Sequence, residues 1–230
     1  MTKILISKWT KVAVFVACLV PLGVLIWHAL QGDLTANPIE FVEHTTGDWT
    51  IRFVVITLAI TPLRRILNQP QLIRFRRMLG LFAFFYGFLH FGTWIGLDNF
   101  FAWHDMVKDV MKRPFVTVGF AAFVLMIPLA VTSTKGMVRR LGFRRWQMLH
   151  RAIYGTAILA VFHYYWLVKS DVRRPVRYGI IVGALLLWRV GTWLYQRNRG
   201  KQQATPHPSP APRPESSAAS RSPVETAVGR

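Results

Sequence analysis

A single cysteine, Cys18, in 230 residues excludes intrachain disulfides, thiolate ligation of an iron–sulfur cluster and a C-x-x-C-H haem attachment. Acidic residues are also scarce, with 10 Asp+Glu against 29 Lys+Arg and a net charge of +19. None of those carboxylates lies within the core of a long apolar run. Ion-coupled transporters and proton pumps keep a carboxylate at mid-membrane as the partner of their cation, so this absence argues against both. The chain also has no P-loop, no Gly-rich dinucleotide fingerprint and no internal repeat of useful length.

What is present is apolar length. Mostly apolar runs at 12–30, 50–66, 78–97, 115–133, 146–168 and 178–195 are each long enough to cross a hydrocarbon core of about 30 Å. The expected fold is an all-α integral membrane protein, a bundle of six transmembrane helices. Basic residues cluster between the runs and not along one face of a soluble core, which excludes a nucleic-acid partner. The first run follows Lys3, Lys8 and Lys11 but exceeds a signal-peptide h-region, so it reads as a retained helix. Loop charge orients the bundle: the N-terminus, the second and fourth loops and the tail carry about twice the Lys+Arg of the other side, which predicts cytoplasmic termini. From Gly200 onward Pro, Ser and Ala dominate, and such a segment buries too little apolar surface to offset its ordering entropy. The expected division is a membrane domain over 1–198 and a disordered cytoplasmic tail over 199–230.

Three histidines, His90, His150 and His163, fall within the runs. Neutral imidazole suits haem iron and borderline metals, whereas a lone membrane histidine usually bonds a neighbouring helix. At about 1.5 Å per helical residue, His90 and His163 lie roughly 12 and 9 Å below the outer edge, and His150 about 28 Å below it. His90 and His163 are therefore level, as the two axial ligands of one upright haem would be. His150 has no histidine partner at its depth; Arg77 stands there, with Arg76, Arg151 and Arg189 nearby. That inner site could hold a flavin phosphate, haem propionates or a quinol entrance, or the arginines could be interface anchors. Gly87 and Gly92 around His90, and Gly155, Ala157 and Ala160 between His150 and His163, leave room for a flat macrocycle or for a helix contact. His28, His44 and His104 read as solvated loop or helix-end residues.

The stretches ANPIEFVEHTTG, LGLFAFFYGFLH, RRLGFRRWQMLHRAIYG and VFHYYWLVKS, in that order, resemble the MsrQ (YedZ) family of haem-binding membrane subunits, within the ferric reductase-like transmembrane group. The likeness covers about residues 1 to 198. It implies haem b, FMN, and transfer of electrons from the quinone pool to the periplasmic molybdenum-dependent protein-methionine-sulfoxide reductase MsrP. It places the haem histidines on His90, His150 and His163. Unlike full ferric reductases, the chain shows no soluble flavin and nicotinamide domain after the last helix and no second histidine on the third helix, so electrons must come from a separate quinol or flavin-reductase donor. The expected function is an electron-transfer subunit without a substrate site of its own. The rivals are a histidine-lined transition-metal transporter, opposed by the missing carboxylates and Met or Cys pairs, and a purely structural membrane anchor.

Overall fold

The computed structural model describes residues 7–203. Among them there is no strand. The helices are α1 (Lys8–Gln31), α2 (Pro38–Ile66), α3 (Ile73–Thr93), α4 (Trp103–Lys112), α5 (Pro114–Val131), α6 (Lys135–Leu141), α7 (Phe143–Leu149), α8 (Ala152–Leu167) and α9 (Arg173–Gln203). Every expected run falls on helix. Helical stretches long and apolar enough to cross a membrane are Lys8–Gln31, Pro70–Asp98, Pro114–Val131 and Arg173–Arg199. The other two runs, on α2 and α8, differ from expectation for local reasons.

Helix α2 starts well before residue 50, so the expected outer loop carrying His44 is helical. Asn37 caps it, accepting from the Glu40 amide at 3.4 Å while its own amide nitrogen donates to the Glu40 carboxylate at 3.0 Å. Pro38, with its fixed φ, opens the first turn. The expected fifth helix is instead interrupted beside His150. There the Arg151 amide donates to the Met148 carbonyl at 3.1 Å, a tightened turn that divides α7 from α8 and leaves α8 with 16 residues. Helix α9 runs on to Gln203, past the expected boundary at 198. The remainder of the expected tail, 204–230, lies outside the described residues.

Two helix pairings dominate the packing, α2 against α3 and α5 against α8, and α3 also touches α5. The core between α1, α2 and α3 is aromatic: Phe53 stacks on Phe82 and on Tyr86 with ring centroids 5.8 and 5.3 Å apart, and Phe15 meets Phe82 edge-on. Tyr86 also holds α1. Its hydroxyl accepts from the Leu22 amide at 3.1 Å and donates to the Cys18 carbonyl at 2.9 Å, bridging the ladder beside Pro21, a residue with no N–H of its own. Near the start of α2, Asp48 pairs with Arg52 at 3.5 Å and with Arg174 of α9 at 3.9 Å. The outward surfaces of α1, α5 and α9 expose Val16, Val20, Val131, Ile180 and Leu187, an apolar exterior that a membrane covers. Residues up to Gly191 form one compact unit containing all the histidines described here. From Thr192 the end of α9 forms a second, in which Arg197 lies over the Trp193 ring.

Candidate functional site

His90 sits one turn before the end of α3, and His163 sits near the end of α8. Their imidazole centroids are 6.0 Å apart, with ring planes inclined at 68°. Each ring is fixed by a backbone carbonyl of the helix opposite. His90 Nδ1 donates to the Glu43 carbonyl of α2 at 3.0 Å, and His163 Nδ1 donates to the Phe115 carbonyl of α5 at 2.8 Å. A carbonyl only accepts, so Nδ1 carries the proton in both rings and Nε2 keeps a free lone pair. A metal-ligating histidine uses the same bond from its other ring nitrogen to a carbonyl to fix its tautomer and orientation.

Two glycines make these bonds possible. A Cβ on Gly119 would stand 2.6 Å from His163 Nδ1 and 2.8 Å from its Cε1, and a Cβ on Gly47 would stand 3.2 Å from the same two atoms of His90. Gly47 is four residues after Glu43 and Gly119 four after Phe115. In a helix, residues i and i+4 share one face, so each missing side chain uncovers the carbonyl one turn before it. The glycines and alanines expected to make room do other things: a Cβ on Gly87 would meet Thr50 and Met126, one on Gly155 would meet Leu125, and Gly92 faces open space. Gly47 and Gly119 escaped sequence reading because they lie on helices that carry no ligand. Their only signal was the i, i+4 relation to residues of no evident chemistry.

His150 stands apart, at the other end of the bundle. Its Nε2 donates to Thr132 Oγ1 at 3.1 Å, that hydroxyl having already given its proton to the Pro128 carbonyl at 2.6 Å, and its ring lies 4.1 Å from that of Trp146. The nitrogen that is free on His90 and His163 is therefore engaged on His150. Arg77 and Arg151, expected at its level, are both exposed. The guanidinium that acts on His150 electrostatically is that of Arg76. His28 pairs with Asp33 at 3.3 Å; His44 and His104 are exposed, on α2 and α4.

The His90–His163 pair fits haem iron. Two imidazoles on opposite sides of one metal ion, with bonds of about 2.0 Å, have centroids about 6 Å apart, and the spacing leaves the thickness of a flat ring between them. Among the described residues no group of three or more His, Cys, Asp or Glu could hold a metal ion.

Residues 46–161 match the family described as ferric reductase like transmembrane component. A protein-methionine-sulfoxide reductase heme-binding subunit MsrQ from Herminiimonas arsenicoxydans is 55% identical over 196 residues, covering 84% of this chain and 89% of the relative. The chain belongs to the MsrQ family. Further MsrQ proteins are 48% identical in Bordetella parapertussis, over 83% of this chain and 93% of the relative, and 49% identical in Caulobacter vibrioides, over 82% and 89%. No solved structure matches. All of these MsrQ relatives carry the words heme-binding subunit in their names; the region matched by the family model contains His90, His150 and the Phe115 carbonyl and ends two residues before His163.

Proposed function

We propose that this MsrQ-family chain is an inner-membrane electron carrier, crossing the bilayer six times with both termini cytoplasmic. In this reading it takes electrons from the quinone pool, or from a flavin reductase, and passes them to the periplasmic molybdenum subunit MsrP for repair of oxidised methionines. The observation that carries the reading is the pair of imidazoles 6.0 Å apart, each with Nδ1 tied to a carbonyl. His90 and His163 would hold haem b, which would supply a one-electron couple there.

The chain's own contribution is to orient. The Glu43 and Phe115 carbonyls keep the proton on Nδ1, so both imidazoles present a neutral Nε2 with raised basicity. An aromatic ring stands beside the pair, that of Phe115, with its centroid 6.4 Å from that of His163. His150, with Arg77 and Arg151, is proposed as the contact for an inner cofactor, with FMN and MsrP carried by the family likeness.

The test is the absorption spectrum of the purified protein before and after dithionite. Sharp reduced haem bands are expected, lost in His90→Ala and His163→Ala and retained in His150→Ala. A protein without haem bands, or a His90→Ala variant with a full low-spin signal in electron paramagnetic resonance, removes the reading.

A further inference from the structure

Between α3 and α5 lies the short helix α4, whose apolar face is only half covered. With about 100° per residue, Met106, Val110, Trp103, Val107 and Met111 fill one arc of about 140°, and His104, Lys108, Lys112, Asp105 and Asp109 occupy the remainder. Helix α4 packs on α5, and within its apolar arc Met106 is 6% exposed and Val110 half-buried. The rest of that arc is open: Trp103 is 64%, Val107 60% and Met111 81% exposed. On the charged side Asp105 pairs with Lys108 at 3.9 Å and Asp109 with Arg113 at 3.3 Å.

The turn that leads into α4 adds two apolar rings. Phe100 and Phe101 hold φ of 45° and 60°, a left-handed backbone unfavourable to bulky residues, and both side chains are exposed. Presenting two large rings from a strained turn is costly in water and is offset where an apolar phase takes them up. At the other end Pro114 confines Arg113 to extended backbone, φ −107° and ψ 104°, so α4 leaves the axis of α5. The Thr117 hydroxyl, set against the carbonyls of Val110 and Arg113, fixes that bend. With 10 residues, α4 is too short to cross a bilayer. It departs from a helix whose own exterior, at Phe120, Val124 and Ile127, is apolar and exposed.

We propose that Phe100, Phe101 and α4 lie in the boundary between headgroups and acyl chains of the leaflet at the His90 end of α3. Trp103, Val107 and Met111 turn into lipid, and the charged arc turns to water. An apolar arc opposite a charged one, on a helix that cannot span, seats a helix at that depth, and Trp103 suits it. Lipid is favoured over a docked protein because the open arc adjoins the arc already buried on α5 and continues the apolar exterior of the bundle. A partner arriving from water meets the charged arc first. Nothing here depends on the haem reading.

The test uses the full-length protein in phosphatidylcholine nanodiscs holding one copy each, so that neither a partner nor a second copy covers the face. Val107→Cys, Met111→Cys and Lys108→Cys are each treated with a charged, membrane-impermeant methanethiosulfonate, and every rate is divided by that of the same variant unfolded in guanidinium chloride. Wild type, whose lone thiol Cys18 is buried, gives the background. Val107→Cys and Met111→Cys are expected to react about tenfold or more slowly than Lys108→Cys, since lipid excludes the reagent and disfavours the thiolate. A circular dichroism spectrum and thermal midpoint equal to wild type certify the fold of each variant. Should Val107→Cys not fold, Met111→Cys, at the more exposed position, carries the comparison. Equal rates at the three positions show the arc open to water and overturn the proposal, leaving that face to a protein partner.

Discussion

The imidazoles depend on atoms that no side-chain inventory contains. His90, His150 and His163 were legible as candidates because a histidine in an apolar run is conspicuous, and counting rise per residue put the first and last at one depth. The carbonyls that orient them were not legible, since backbone groups have no letter of their own. Nor were Gly47 and Gly119, whose role appears only when two helices meet. Gly119→Ala should lose most of its haem, measured as pyridine haemochrome per protein, because its Cβ would press on His163 at 2.6 Å. Gly47→Ala, at 3.2 Å, should keep part of it, and Gly92→Ala should match wild type. Glu43 adds a pH dependence. It lies on the turns of α2 ahead of the apolar stretch, and burial, then Asp98 and Glu40, push its carboxyl up from 4.5 to about 7. A raised carboxyl pKa favours the folded protein below pH 4.5, and that advantage is lost as pH rises through 7. Wild type should therefore fall in melting temperature relative to Glu43→Gln between pH 5 and pH 8; a constant gap between them would contradict this.

At the scale of elements, apolar runs located every long helix but misjudged where polar sequence continues one. Residues 38–49 read as loop because Glu40, Glu43, His44 and Asp48 break the hydrophobic pattern, although Asn37, Pro38 and Glu40 together form a helix-start signal. The break beside His150 was hidden for the opposite reason: 146–168 is mostly apolar, and the interruption carries no glycine or proline, only His150 and Arg151. Helix α1 illustrates how little can hold an element whose outer face meets lipid. Beside the Phe15–Phe82 ring contact, its polar tie to α3 is the Tyr86 hydroxyl lodged between Leu22 and Cys18. Tyr86→Phe should destabilise the protein by roughly 1 kcal/mol, the net worth of a hydrogen bond, measured by reversible denaturation in mixed detergent. The α1 backbone amides near Leu22 should exchange faster in that variant, whereas unchanged exchange would show that the ladder closes without the tyrosine.

The whole molecule is polarised. Carboxylates gather where α2 and α9 start and after α3, and arginines gather at the opposite ends, where Arg64 and Arg76 sit. With the positive side in the cytoplasm, alkaline phosphatase fused after Arg230 should be inactive and green fluorescent protein at the same place should fluoresce; the reverse pattern would invert the bundle. The same polarity sets His90, near the end of α3, apart from Arg76, near its start. The pairings that build the imidazole site are also two versions of one device. Glu43 and His90 are 47 residues apart, Phe115 and His163 are 48 apart, and each pair has a glycine four residues after the carbonyl. Each pairing thus orients one imidazole with a main-chain carbonyl that a glycine one turn later leaves uncovered. Because that device needs only a glycine and a helical backbone, it survives replacement of Glu43 or Phe115 by almost any residue that stays helical. The letters at 43 and 115 can therefore drift while the imidazoles stay held, and it is positions 47 and 119 whose loss the site would register.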